Sequence, residues 1–288
     1  MSDAPQRALP WALVNRPVVD LMSGASLASE RVSQGRLGDA CRVLESADDW
    51  ARVRIERDGY QGWLQVAALH AASATEVRDF SAASQTLVSA ELAPAYLSPD
   101  GAEIAGKLYA GLRLPLIERR DQLVGVRLPD ARCWWVAALD TLPLSERPAP
   151  DASGIARALG MMRRSIGVPY LWGGCTPFGY DCSGLAQAFY ALLGVPIPRD
   201  ADQQFQAGHE VAGEPAPGDL IFFRIEGREG EAARHADVRH VAIALGRDRI
   251  LHASGRARSV AIDRLAADAD SYGNWLLNRV AGVRRYGP

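Results

Sequence analysis

The chain has 288 residues, 48% of them hydrophobic and 23% charged, with 32 Lys and Arg against 34 Asp and Glu. At roughly 100–150 residues per domain this length predicts two or three domains, and the apolar fraction excludes disorder over most of the chain. A formal charge of −2 gives no general attraction to nucleic acid or anionic lipid, so no nucleic-acid partner is expected. No stretch approaches the roughly 20 apolar residues of a membrane span, so no membrane partner is expected either.

The N-terminal residues MSDAPQRALPWALVNRPVVD carry short apolar runs interrupted by prolines. No basic segment precedes an apolar core, so they do not read as a signal peptide. With Met1 as the natural start, the expected location is the cytoplasm; with a leader trimmed away, it is outside the cell.

Residues 36–70 predict short strands. Cys41–Leu44 and Val53–Ile55 alternate in polarity, as half-buried strands do. Asp58-Gly59 marks a tight turn before a further strand, Tyr60–Leu64. A weaker copy follows. Trp63 lies 25 positions after Gly38, and Trp135 lies 24 positions after Gly111. Val124–Val126 stands where the middle strand would be, and Trp134–Val136 where Gly62–Leu64 stands. This is repetition at a domain-sized offset, although small β domains also resemble one another without repeating.

The segment 145–153, SERPAPDAS, reads as a linker and helix entry, with Asp151 as cap. Ile155, Leu159, Met162 and Ile166 recur at helical spacing, predicting an amphipathic helix over 152–166. A second helix is predicted from Cys182 to Leu193, closed by Gly194. Strands are predicted near 219–224, 240–246, 249–254 and 279–285. Helices followed by strands indicate an α+β domain. The expected boundaries are 1–78 for an arm and first barrel, 79–145 for a second barrel and 146–288 for the α+β domain.

The four cysteines, Cys41, Cys133, Cys175 and Cys182, are too few and too scattered for a disulfide framework. They lack the paired spacing of a zinc site, and no metal or other cofactor is expected. Cys182 differs from the rest by context. The glycine-rich loop PYLWGGCTPFGY leads into Asp181, placed as a helix N-cap, so Cys182 falls in the first turn. There unpaired N–H groups and the helix dipole favour a thiolate, as a nucleophile requires. Cys41 and Cys133 sit inside strand patterns and read as packing residues. Cys175 is an inert neighbour or an occasional redox partner. Among the five histidines, His240 opens the strand VAIALG, and His252 lies near the end of the next strand, after the turn at Gly246–Asp248. Antiparallel pairing brings these far ends together, so that His240 faces the thiol and His252 fixes its tautomer. His209 and His235 read as solvated loop residues, and His70 as a surface residue after the first barrel.

Residues 153–286 resemble the NlpC-type, papain-like peptidases of bacterial cell walls. The resemblance rests on ordered blocks: Pro169–Gly174, Asp181–Leu185, Pro198–Asp200, Gln203-Gln204, Pro217–Phe223, His240–Ile243 and Leu251–Ala253. Gly38, Trp50, Val53 and Gly59–Trp63 are similar to the bacterial SH3-like domains that accompany these peptidases. The fold so implied is an α+β papain-like catalytic domain preceded by two small all-β SH3-like barrels. Ala242 stands where relatives usually have Gly, and the segment 227–239 is more charged than in most of them.

The resemblance implies Cys182 as nucleophile, His240 as general base and acid, and His252 as the orienting third residue. Tyr170 would help hold the oxyanion beside the N–H of Cys182, and Trp172 would line the site while packing under the loop. Asp181 and Ser183, on either side of the nucleophile, would meet the peptide backbone. The implied substrate is a murein peptide, L-Ala-γ-D-Glu-diamino acid, cut at its γ-D-glutamyl–diamino acid bond. Asp200 would pair with the free α-amine of its alanine, although on residue type it also reads as a helix cap. Ala201 replaces a frequent Ser. Glu30 and Tyr60 are the acidic and aromatic residues expected from the first barrel. The alternative is an exported hydrolase of intact cell wall whose barrels bind the wall. The oligomeric state and the choice between diaminopimelate and lysine stay open.

Overall fold

The computed structural model describes residues 10–83, 85–225 and 238–287. The chain divides into two units, Met1–Ser145 and Glu146–Pro288.

In the first unit, β1 (Trp11–Val14), β2 (Val18–Met22), β3 (Arg31–Arg36), β4 (Ala40–Ala47), β5 (Trp50–Ile55), β6 (Gln61–Gln65) and β7 (Leu69–Ala72) form one sheet in the order β3-β2-β6-β5-β4-β1-β7. After α1 (Ala74–Ala82) come β8 (Gln85–Val88), β9 (Leu92–Tyr96), β10 (Ile104–Tyr109), β11 (Arg113–Arg120), β12 (Leu123–Arg127), β13 (Cys133–Ala137) and β14 (Thr141–Pro143), in the order β10-β9-β13-β12-β11-β8-β14. Each position in the second order is the first shifted by seven strands, so the repetition visible in the tryptophan spacing extends to the whole topology. The turn glycines correspond as well. Gly38 (φ 84) donates its N–H to Val14 O, and Gly111 (φ 92) donates to Val88 O. Both sit in the left-handed region that side chains avoid.

Three differences from the sequence reading appear here. Residues 11–36 supply three strands of the first sheet rather than an arm. His70 lies in β7, opposite Leu13 of β1, not in a loop. Position 78 falls inside α1, whose N-cap Ser73 and Glu76 make a reciprocal capping box. Val77 and Phe80 of α1 share one core with Leu13, Leu37 and Ala72 of the first sheet and Leu108, Leu114 and Val136 of the second. Short sheets bury too little alone, and a shared helix supplies the missing apolar surface.

In the second unit, α2 (Ala152–Met162) starts where Asp151 accepts from the Gly154 N–H at 2.9 Å. It ends four residues earlier than expected: Arg163–Ser165 turn more tightly and Ile166 is 49% exposed. The apolar spacing that includes Ile166 outlasts the helix. Next come the hairpin β15 (Cys175–Thr176) and β16 (Gly179–Tyr180), α3 (Cys182–Leu193), α4 (Ala201–Ala207) and β17 (His209–Glu210). Then follow β18 (Leu220–Arg224), β19 (Val238–Gly246), β20 (Arg249–Ser254), β21 (Ser259–Arg264), α5 (Ser271–Leu277) and β22 (Val280–Arg285). The sheet order is β17-β22-β18-β19-β20-β21. Alternation along β18 explains its continuous apolar run: Leu220 and Phe222 join the core of α3, while Ile221 and Phe223 join a second cluster with Leu276 of α5. A strand covered on both faces needs apolar residues at every position. His209 is exposed in β17. His235 and most of the charged segment 227–239 lie outside the described residues.

Candidate active site

The site begins with the loop that delivers α3. Asp181 is the N-cap, and its Oδ1 accepts from the Gly184 N–H at 2.7 Å. Its other oxygen accepts from the Gly173 N–H at 2.9 Å, tying the glycine-rich loop to the helix start. Arg199 completes the clamp, donating to the two Asp181 oxygens at 3.1 and 2.6 Å and to Ser183 Oγ at 2.8 Å. Ser183 donates its hydroxyl to Asp181. Gly184 permits the close approach of loop and helix, because a Cβ there would lie 2.1 Å from Gly174 O. Asp181 and Ser183 thus hold the nucleophile loop to the start of α3 through their side chains. Arg199, absent from the sequence reading as a site residue, is the hub. A guanidinium 1% exposed needs a carboxylate partner, and Asp181 supplies it.

Cys182 is the first residue of α3, where an N–H has no acceptor within the helix. Its Sγ lies 3.9 Å from Arg239 O, and the N–H groups of Val241 and Ser183 are directed at it. The thiol thus rests against β19 on either side of His240. Burial pushes this thiol up to about 12, opposing the helix terminus that favours thiolate. None of the four cysteines is in a disulfide, and Cys175 is buried in β15.

His240 and His252 come together as antiparallel pairing of β19 and β20 requires. His240 Nε2 lies 2.7 Å from His252 Nδ1. Burial, with His252 beside it, holds the His240 imidazole well below its ordinary value, so it rests neutral. His252 Nε2 lies 2.8 Å from Asp263 Oδ2. Asp263 was not singled out in the sequence. Its carboxyl is depressed chiefly by this hydrogen bond from His252. The register pairs His252 with Ala261, so Asp263 is the next residue on the same face of β21. Recognising β21 in SVAIDR would have exposed it. The Tyr272 ring of α5 stacks against His252 at 6.3 Å.

Tyr170 donates its N–H to Arg258 O. Its phenol is pushed up, first by burial and then by the charges of Cys182 and Asp181, so it keeps its proton and remains a donor. Trp172 is 59% exposed at the rim of the loop. Asp200 occupies the N-cap position of α4, yet its side chain makes no cap hydrogen bond; the helix-cap explanation of this residue does not hold. Ala201 is buried as the first residue of α4. Glu30 and Tyr60 belong to the N-terminal unit. Glu30 is exposed ahead of β3, and Tyr60 packs against the core of the first sheet. Among the described residues no group of three or more His, Cys, Asp or Glu has the arrangement of a metal site.

Residues 167–276 match the NlpC/P60 family, and residues 21–69 match the bacterial dipeptidyl-peptidase SH3 domain. The second unit is an NlpC/P60 cysteine peptidase domain. A γ-D-glutamyl-L-lysine dipeptidyl-peptidase of Bacillus cereus is 28% identical over 300 residues, covering 99% of this chain and 85% of that protein. One of the same name from Bacillus subtilis is 29% identical, covering 82% of this chain and 77% of that protein. The fold agrees with the crystal structure of an NlpC/P60 protein from Bacillus cereus, with TM-score 0.79 and 24% identity over 96% of this chain and all of that one. The α+β peptidase domain behind all-β sheets is therefore the observed fold class. No helix among the described residues is long and apolar enough to cross a membrane.

Proposed function

We propose that this peptidoglycan-related endopeptidase cuts the γ-D-glutamyl–diamino acid bond of free murein peptides that carry an unblocked N-terminal L-alanine, in cytoplasmic recycling of wall peptides. The observation that carries the reading is the extent of the likeness. Similarity to the γ-D-glutamyl-L-lysine dipeptidyl-peptidase runs through the SH3-like part as well as the peptidase domain, over 99% of the chain.

In this reading Cys182 passes its proton to His240 Nδ1, the ring nitrogen not engaged by His252. The thiolate attacks the γ-carbonyl carbon of D-glutamate. The resulting oxyanion is held by the Cys182 N–H and the Tyr170 hydroxyl, donors aimed where charge develops. The C–N bond breaks, and His240 returns the proton to the departing amine of the diamino acid. Water, deprotonated by His240, then hydrolyses the thioester and restores the thiol.

Asp200 supports the free-amine requirement. A buried ammonium needs a carboxylate, and Asp200 is a half-buried one, next in the chain to Arg199 of the nucleophile clamp. Glu30 and Tyr60 remain proposed as substrate-recognition residues of the first unit. The domain limits follow as a proposal: SH3-like repeats up to residue 145 and the peptidase beyond.

The test is mass spectrometry of digests of L-Ala-γ-D-Glu-diaminopimelate and L-Ala-γ-D-Glu-lysine, each free and N-acetylated, beside purified sacculi. Release of L-Ala-D-Glu from free peptides only, with Asp200→Asn weakening free peptides far more than acetylated ones, supports the reading. Equal rates on capped and free peptides, or faster release from sacculi, refute it in favour of a wall hydrolase.

A further inference from the structure

We infer that Asp263 is a positioning residue that sets the tautomers of both histidines and thereby makes His240 a base. The inference rests on the reading of Cys182 and His240 as nucleophile and base.

Along the chain Asp263–His252–His240 each hydrogen bond needs one donor and one acceptor. Asp263, ionised, can only accept. His252 Nε2, at 2.8 Å, must therefore carry a proton. A neutral His252 then has a lone pair on Nδ1, and that lone pair accepts from His240 Nε2–H across 2.7 Å. The proton of a neutral His240 is thus fixed on Nε2, leaving Nδ1 free to take the proton of Cys182. Without a carboxylate at the end of the chain the opposite arrangement becomes available. His252 Nδ1–H would donate to His240 Nε2, the His240 proton would move to Nδ1, and the base would be blocked. Both arrangements satisfy the contact between the rings, so only the acceptor behind His252 chooses between them.

The surroundings keep Asp263 in its accepting form. Besides His252 on β20, it faces the positive charge of Arg256 in the β20–β21 turn. The Tyr272 phenol of α5 also feels it. Arg256 is held there with its guanidinium 5.0 Å from the centre of the Tyr272 ring and 3.7 Å from Asp270. When His240 becomes cationic, the second proton charge is shared along the chain toward this anion. Asp263 therefore acts both on the resting tautomer and on the imidazolium formed during reaction.

The experiment compares wild type, Asp263→Asn and Asp263→Glu by two readouts. One is steady-state hydrolysis of L-Ala-γ-D-Glu-diaminopimelate; the other, which needs no substrate, is the rate of Cys182 alkylation by iodoacetamide against pH, resolved by peptide mass. Asp263→Asn, whose amide can donate where the carboxylate only accepts, should lower kcat by about 10²-fold with KM within twofold. It should slow alkylation at least tenfold near pH 7, by a factor that shrinks as pH rises toward direct ionisation of the thiol. Asp263→Glu should recover most of the alkylation rate, because the anionic acceptor returns. Thermal melting of the three proteins checks the fold, and Asp263, on a side chain 24% exposed at the sheet edge, should tolerate both changes. Alkylation and kcat within twofold of wild type in Asp263→Asn overturn the inference, as does a loss equal at every pH that Asp263→Glu fails to recover. If the wild type does not cut the peptide, the proposed substrate fails, and the alkylation profiles still decide the role of Asp263.

Discussion

Replacing Arg199 by Met isolates the clamp that holds the nucleophile loop. The guanidinium is 1% exposed and the Asp181 side chain 10%, so the pair is nearly out of water. Removing one partner of a buried ion pair costs about 3–5 kcal/mol. Here Asp181 keeps the N–H groups of Gly173 and Gly184 and the Ser183 hydroxyl, which places the loss at the lower end, about 3 kcal/mol. With a urea slope of about 2 kcal/mol/M, the midpoint should fall by about 1.5 M. Because the chain has two units, the probe must report the second alone. Cys175 is 3% exposed, and its labelling by a maleimide, read by peptide mass as urea rises, does so. Asp181→Asn with Arg199→Met removes both charges together, and the double variant should be more stable than the sum of the single losses implies. A midpoint shift below about 0.5 M in Arg199→Met would refute the argument that this pair secures the loop.

Cys182→Ala and His240→Ala should each reduce peptide turnover by about 10⁴-fold or more, since nucleophile and base act as a unit; substantial turnover by either, measured by product mass, contradicts the assignment. His252→Ala should lose less, because His252 touches the base and not the substrate, and its residual rate should exceed that of His240→Ala in the same assay. Tyr170→Phe removes one oxyanion donor and should lower kcat by about 10²-fold with little change in KM; an unchanged kcat would leave the oxyanion to backbone donors alone.

The sequence reading located α3 and the pairing of His240 with His252 because each has a local cause. A capped helix start and two strands joined by a short turn are specified within a dozen residues. The repeat of the N-terminal sheets was visible through tryptophan and glycine spacing for the same reason. What escaped was set by partners distant in the chain. Residues 11–36 alternate poorly, and β1 is a strand because β4 and β7 flank it. Ile166 fits a helical stripe, yet it falls beyond the tight turn that ends α2. Arg199 and Asp263 are ordinary surface-type residues whose roles come from a carboxylate 18 positions away and a histidine 11 positions away. Asp200 was legible as a cap by pattern and does stand at the cap position with an extended backbone, but its side chain makes no capping bond, which the pattern cannot show.

The resting protonation of the Cys182–His240 pair follows from a contest between local and global effects. The helix start and the N–H groups of Val241 and Ser183 favour a thiolate, but burial acts on both partners and favours the uncharged forms. The thiol is pushed up to about 12 and the imidazole is held well below 6.5. A proton passing from sulfur to His240 leaves the net charge of the pair unchanged, so the neutral pair and the ion pair share one pH range. On the acid side, competence is lost when His240 takes a second proton while the thiol keeps its own; a depressed imidazole delays this to low pH. On the alkaline side it is lost when the shared proton leaves altogether, and a raised thiol delays that to high pH. Both shifts widen the range, so kcat/KM should be flat between about pH 7 and 9. Its acid limb should lie well below the ordinary histidine value of about 6.5, with apparent values that belong to the pair. An acid limb centred at or above 6.5 would mean that the imidazole is not desolvated in the working enzyme, and would remove the reason for a carboxylate behind His252 to matter at neutral pH.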